Sequence, residues 1–135
     1  MVFVNSQGPI PGFGFAFPDI CNTIVGPAVV PIPYPNFAMR ATSIPTQYSC
    51  YTMVMPNHNL LTTQPLTIGD NVGISLGVAS GMVMATSQNY SCSVKVVQGV
   101  SPVTRMLDIS GHNGISPNMV GAALCPTQPT VMVLT

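Results

Sequence analysis

The sequence predicts an all-β domain built from three copies of one strand-loop-strand unit. Echoes of one pattern begin at Gln47, Gln88 and Gln128, at spacings of 88 − 47 = 41 and 128 − 88 = 40 residues. A small polar stretch precedes each glutamine, and an alternating run rich in Val, Thr, Tyr and Met, typical of a strand, follows it. Such repetition indicates a copied supersecondary unit, packed around a pseudo-threefold axis or as a short solenoid.

Proline and glycine exclude long helices from most of the chain. The 14 prolines and 12 glycines interrupt every helical period, and a proline inside a helix costs about 3 kcal/mol. The proline-rich segment 27–35 is therefore predicted to be extended or turning. The strongest strand candidates are residues 48–55, 74–84, 91–100 and 129–135.

The 135 residues are predicted to form one domain. Its three copies are expected to span roughly residues 11–55, 56–97 and 98–135, with no effector extension. The first 40 residues repeat less clearly, so they are predicted to hold a degenerate first copy and an N-terminal arm.

Charged side chains are scarce. They make up 4% of the sequence, whereas about 25% is usual in soluble domains, so much of the surface is predicted to contact another protein. Three cationic residues at zero net charge cannot form a phosphate-binding footprint, which argues against nucleic acid as a partner. No apolar run reaches the roughly 18 residues of a membrane helix. The N-terminus also lacks the features of a Sec signal peptide.

A G-x-S-x-G motif at Gly73 to Gly77 suggests a serine hydrolase, because Asp108 and His112 follow Ser75 in the triad order of α/β-hydrolases. That motif functions only where a strand turns into a helix above a parallel sheet. The residues after it look β-like and are broken by glycine, so the sequence favours glycines that bend a strand. The hydrolase remains an alternative.

Residues of metal-ligand type precede an asparagine in four loops. They are Cys21, His58, Asp70 and His112. A zinc site needs a few such groups to converge from separate loops, which a pseudo-threefold arrangement would allow. The same pairs are also typical of Asx turns, so spacing alone leaves both interpretations open.

The four cysteines allow three disulfide pairings. Cys50 and Cys92 follow Tyr-Ser in two of the echoes, on segments predicted to be apolar strands. Without a signal peptide, free buried thiols are favoured over disulfides.

Several motifs, in order along the chain, resemble the PAAR-like domain proteins of bacterial type VI secretion. They are Phe17-Pro18-Asp19-Ile20-Cys21-Asn22-Thr23, Pro31-Ile32-Pro33-Tyr34-Pro35-Asn36, Met55-Pro56-Asn57-His58-Asn59-Leu60, Gly69-Asp70, Gly77-Val78-Ala79-Ser80-Gly81, Ser101-Pro102-Val103-Thr104-Arg105, His112-Asn113 and Pro126-Thr127-Gln128. The resemblance runs from about Pro11 to Thr135. The Pro-Ala-Ala-Arg signature itself is present only as Pro102 to Arg105.

The resemblance implies a small conical fold with pseudo-threefold symmetry. Its base would sit on a trimeric VgrG spike at one copy per trimer, and zinc would hold its tip. Cys21 and His112 best match the ligand-bearing loops of the family, and His58 and Cys125 are further candidate ligands. Asp70 is expected to be structural.

The function implied is mechanical and not enzymatic. A protein of this family would cap and sharpen the spike, aid membrane puncture and recruit effector or adaptor proteins. It would reside in the bacterial cytoplasm before firing and then be exported or delivered by type VI secretion. The alternatives are the serine hydrolase and a self-assembling β-repeat structural protein.

Overall fold

The computed structural model describes residues 2–134, and the all-β prediction is confirmed. The strands are β1 (Val2–Phe3), β2 (Phe13–Val25), β3 (Ala28–Met39), β4 (Tyr51–Thr52), β5 (Met55–Pro56), β6 (Thr63–Gln64), β7 (Thr67–Ile68), β8 (Ser87–Asn89), β9 (Val97–Gln98), β10 (Ser101–Pro102), β11 (Ile109–His112), β12 (Met119–Ala123) and β13 (Met132–Val133). One 3-10 turn, Arg40–Thr42, follows β3. Within the described range, no helix has the length and apolarity that crossing a membrane requires.

Seven strands form one antiparallel sheet in the order β6-β8-β11-β12-β2-β3-β7. Its edge strands β6 and β7 are neighbours in the sequence, separated only by residues 65–66. The sheet must therefore curl until its two edges approach each other. The Thr67 N–H, in β7, donates to the carbonyl of Ala85, just before β8, at 2.9 Å. The result is a nearly closed, barrel-like sheet.

The β2–β3 hairpin is the longest element, paired from Phe13 with Met39 to Val25 with Ala28. The prediction that segment 27–35 is extended is confirmed. The sequence predicted only a degenerate copy and an N-terminal arm in this region. It missed the β2–β3 hairpin because proline is rare in strands. Proline is tolerated at a sheet edge, where its missing N–H leaves no ladder bond unmade. Strand β7 covers β3 only at Phe37 and Ala38, so the proline-bearing part of β3 is such an edge.

Three two-stranded ribbons lie around a pseudo-threefold axis: β1 with β13, β4 with β5, and β9 with β10. A ring of backbone hydrogen bonds, formed by Asn5, His58 and Thr104, joins them. The N–H of Asn5 donates to the Thr104 carbonyl at 2.9 Å, that of Thr104 to His58 at 3.0 Å, and that of His58 to Asn5 at 2.8 Å. The pseudo-threefold prediction is therefore confirmed at this ring.

A second set of backbone hydrogen bonds repeats the same symmetry. Each bond joins the residue two positions after one ring residue to the residue two positions before another: Gln7 to Pro56, Leu60 to Pro102, and Met106 to Phe3. The ring residues are 58 − 5 = 53 and 104 − 58 = 46 residues apart, because the loops between them differ in length. The copies are thus related by hydrogen-bonding position and not by a fixed spacing.

Two of the strand predictions from the echoes are wrong. Residues 74–84 form turns, with one bridge between Gly77 and Cys21, and residues 91–100 contain only β9. The structural counterpart of Gln128 is Ser93, since the side-chain oxygen of each accepts the N–H of the third residue after it. Gln88 instead lies within β8.

The interior is unusually polar. Its hydrophobic cluster is small and lies beside the ring: Val4, Val103 and Val133. Inside the curled sheet the buried side chains are mostly polar, and the largest are Arg40, His112 and Gln64. Hydrogen bonds between polar side chains therefore hold together an interior that apolar contacts hold together in most domains.

Candidate metal centre

Three buried side chains converge beside the β2–β3 hairpin: Asp19, Cys21 and Asp70. Asp19 and Cys21 are two positions apart on β2, so they project from the same face of the strand. Asp70 lies just after β7, which pairs with β3 on the other side of the hairpin. The oxygen and sulfur atoms of these three groups lie within 4.8 Å of one another.

The spacing of these atoms suits one small metal ion. The Sγ of Cys21 lies 3.7 Å from Asp19 Oδ1 and 3.9 Å from Asp70 Oδ2. In a tetrahedral zinc site, a thiolate about 2.3 Å and a carboxylate oxygen about 2.0 Å from the ion stand about 3.5 Å apart. A contraction of a few tenths of an ångström would therefore bring each sulfur–oxygen distance to that of a zinc site, and the two carboxylates lie within 4.8 Å of each other.

Asparagine side chains surround the three groups. Asn36 donates to Asp19 Oδ2, and Asn118 donates to Asp19 Oδ1. The amide nitrogens of Asn113 and Asn118 lie 3.7 and 3.8 Å from Cys21 Sγ. Such outer contacts orient metal ligands and hold them in place.

Asp70 has one carboxylate oxygen to spare. Its Oδ2 accepts the N–H of Met84 at 3.0 Å, whereas its Oδ1 is buried and has no hydrogen-bond partner in the described part of the chain. A buried carboxylate oxygen without a partner carries a desolvation cost that a bound cation would remove.

The electrostatics of the cluster also favour a cation. Burial, followed by the charges of Asp19 and Asp70, raises the pKa of the Cys21 thiol to about 12. Burial also raises the pKa of the Asp70 carboxyl, and the Met84 hydrogen bond offsets this only in part. The one ion pair found within residues 2–134, Arg105 with Asp108, lies elsewhere. A divalent cation would displace the thiol proton and compensate the carboxylate charge.

The glycines of the G-x-S-x-G motif pack around this cluster. A Cβ at Gly73 would collide with the Cβ of Cys21, and a Cβ at Gly77 would lie 2.7 Å from Asn118 Cγ. They permit close approach of the chain, which differs from the predicted bending of a strand.

The hydrolase triad is not assembled. Asp108 accepts hydrogen bonds from Arg105 and Ser91, while the Nε2 of His112 lies 3.0 Å from the Oγ of Ser110. Ser75 lies in a turn, where its N–H donates to Asn22.

Of the four ligands predicted from the resemblance, the structure places only Cys21 in the cluster. His112 lies at the end of β11, directly before Asn113, and its side chain points into the sheet interior beside Arg40. His58 belongs to the ring, and neither of its ring nitrogens has a partner among the described residues. Cys125 follows β12, with its Sγ 3.8 Å from the Pro126 carbonyl. The structure does not gather these four side chains into one site.

Both histidines are held neutral. Burial, reinforced by the charge of Arg40, lowers the pKa of His58 to about 3. The same two causes lower the pKa of His112 to about 4, with Asp19 opposing them.

Sequence reasoning missed Asp19 and did not keep Asp70 as a ligand, although it noted Asp70 as a residue of metal-ligand type. Asp19 was not considered as a ligand, although its i, i+2 spacing from Cys21 on an extended segment would place both on one face. Asp70 was expected to be structural. Asn36 and Asn118 carry no local signal, because they reach the cluster from distant parts of the chain.

All four cysteines are free in the structure, which agrees with the preference for free thiols at Cys50 and Cys92. Cys21 is buried, but the other three are partly exposed, so the prediction that Cys50 and Cys92 are buried was only partly correct.

The chain was compared with known proteins. One family model, described as the toxin PAAR-like domain, matches residues 12–121. That range contains the whole Asp19, Cys21 and Asp70 cluster, together with the ring residues His58 and Thr104. No curated protein and no solved structure matches the chain.

Proposed function

The chain belongs to the toxin PAAR-like domain family, and on this premise we propose that it is a spike-tip protein of a bacterial type VI secretion apparatus. It caps a trimeric VgrG spike at one copy per trimer, aids membrane puncture and recruits effector or adaptor proteins. It resides in the bacterial cytoplasm before firing and then leaves with the spike. Its role is mechanical.

The pseudo-threefold ring is the observation that carries this proposal. Asn5, His58 and Thr104 make cyclic backbone hydrogen bonds, so one chain presents three ribbons in similar orientations. A monomer with this symmetry can make three similar contacts with a trimer, whereas an asymmetric monomer would fit at one place. The pseudo-threefold repeat would thus match the threefold symmetry of the spike trimer.

The ribbon turns have the composition of an interface. Val54 and Val100 occupy corresponding turns of two ribbons and are 88% and 93% exposed, and Leu134, at the end of the third, is 72% exposed. We call these three residues the ribbon end. The three ribbons contain no charged residue, and the centres of protein interfaces are likewise depleted of charge.

Zinc is the metal proposed for the cluster. Asp19, Cys21 and Asp70 would supply one sulfur and two oxygen ligands, a donor set that zinc accepts. Bound zinc stabilises the folded state, because only that state brings the ligands together. Here it would tie the β2–β3 hairpin to the loop that follows β7.

Binding of ribbon-end variants to immobilised VgrG trimer, measured by biolayer interferometry, tests the docking surface. The double variant Val54→Lys, Val100→Lys should bind at least tenfold more weakly, because binding would bury two unpaired ammonium groups in the interface. Val25→Lys is the matched control: this exposed valine lies at the tip of the β2–β3 hairpin. Equal affinity of the double variant and the control would contradict docking through the ribbon end.

A further inference from the structure

Arg40 is buried in the interior of the curled sheet, with 1% of its surface exposed. Its Nη1 donates to Asn89 Oδ1 at 3.2 Å. The Gln64 amide oxygen accepts from the same nitrogen at 3.1 Å, in the orientation that satisfies both ends of that amide. Nε and Nη2 are also buried, and neither has a partner within residues 2–134. Three of the five guanidinium N–H donors, one on Nε and two on Nη2, are therefore buried without a partner among the described residues.

No carboxylate of the described residues forms an ion pair with this guanidinium. The single ion pair of the described chain joins Arg105 to Asp108. Asp108 acts on Arg40 only through space, and burial still lowers the pKa of Arg40 to about 10. The guanidinium thus remains charged at neutral pH. An uncompensated buried charge is costly, so this interior calls for a negative counter-charge.

Further polar groups without partners lie in the same interior. They include Asn89 Nδ2 and His112 Nδ1. Gly14 lets the backbone of β2 lie close to these side chains, since a Cβ there would lie 3.4 Å from Arg40 Nη2 and 3.2 Å from His112 Nε2. The two unused nitrogens of Arg40 and the Asn89 amide nitrogen are all donors, which suits an acceptor as the occupant.

We propose that this interior binds one small monovalent anion of the halide class against Nε and Nη2 of Arg40. One guanidinium supplies a single positive charge, which one monovalent anion neutralises. No pocket opens into the described part of the chain, so a small ion is proposed here and not an organic anion. Water would satisfy the N–H groups but would leave the charge uncompensated.

Thermal unfolding at constant ionic strength tests the site, with sodium chloride replacing sodium gluconate. The melting temperature should rise with chloride and then saturate, because a ligand of the native state stabilises it by linkage. Arg40→Met should lose this dependence, whereas Lys95→Met, which removes an exposed cation, should keep it. No chloride dependence in the wild type, or the same dependence in Arg40→Met, would overturn the proposal.

Asn89→Asp tests the same site without removing the arginine. The substitution places a carboxylate where Asn89 Oδ1 lies, 3.2 Å from Arg40 Nη1. This internal anion should raise the melting temperature in gluconate and remove the effect of chloride. A chloride dependence equal to that of the wild type would count against the site.

Crystals soaked in bromide locate the ion directly. An anomalous peak within hydrogen-bonding distance of Arg40 Nε and Nη2 is expected. Ordered water at that position without anomalous signal, in crystals that hold bromide elsewhere, would show that water alone satisfies the guanidinium and would overturn the proposal.

Discussion

Cys21 is the side chain on which the metal centre depends, because it supplies the only sulfur and lies between the two carboxylates. Its thiol is protonated when no metal is bound, since burial and both carboxylates raise its pKa to about 12. A metal ion would therefore bind to the cluster in exchange for a proton, and its affinity should increase with pH.

Removal of the metal should lower the stability of the protein. We expect near-stoichiometric zinc by elemental analysis of the wild type and little in Cys21→Ser. A metal ion at 100 times its Kd stabilises the native state by about 2.7 kcal/mol. Its removal should therefore lower Tm by about 10 °C. Cys92→Ser, which alters a thiol outside the cluster, should retain the metal. Metal-free wild-type protein whose melting is insensitive to chelator would contradict the site.

The buried histidines should make stability depend on pH. Their pKa values of about 3 for His58 and about 4 for His112 lie below the ordinary 6.5. Below pH 6.5 the unfolded chain therefore binds protons that the native chain does not, so stability falls as the pH is lowered towards these values. The two histidines together give a slope of at most about 2.7 kcal/mol per pH unit.

Urea unfolding between pH 7 and pH 5 measures this slope. His58→Gln should remove about half of it, because the variant retains only His112 as a buried neutral imidazole. An unchanged slope in His58→Gln would show that other groups cause the acid sensitivity.

Among the elements, the loop after β7 and the β2–β3 hairpin must approach closely for the cluster to form. Gly73 makes this approach possible, since a methyl group there would collide with Cys21. Gly73→Ala should destabilise the fold by about 1–3 kcal/mol and reduce bound metal. Ser75→Ala, two residues away, is the control and should leave both quantities unchanged. Equal Tm and zinc content in the two variants would contradict the packing described.

Sequence reasoning was weakest for the elements. Apolar residues predicted strands at 74–84 and 91–100, but Val78, Val94 and Val100 are exposed and lie outside the strands. Conversely, the prolines of β3 obscured the longest hairpin, because an edge strand tolerates proline where a central strand would not. Local pattern cannot tell an edge from a centre, since that depends on which distant segments pair.

At the scale of the whole molecule, the all-β class and the pseudo-threefold symmetry could be predicted, because proline, glycine and repetition act along the whole chain. The correspondence between copies could not, since it is defined by the ring hydrogen bonds of Asn5, His58 and Thr104. The boundaries expected for the three copies stay predictions. Of the metal cluster, only Cys21 was predicted as a ligand; Asp19 lies two residues away on the same face of β2, whereas Asp70 joins them through tertiary contacts.

The mass of the complex with VgrG tests the account most directly. Size-exclusion chromatography with multi-angle light scattering should show one copy of this 14.1 kDa chain bound to each VgrG trimer, because under the proposal the three ribbons of a single chain would occupy the three equivalent sites. Separate elution of the two proteins, three copies per trimer, or homopolymers formed without the spike would contradict it.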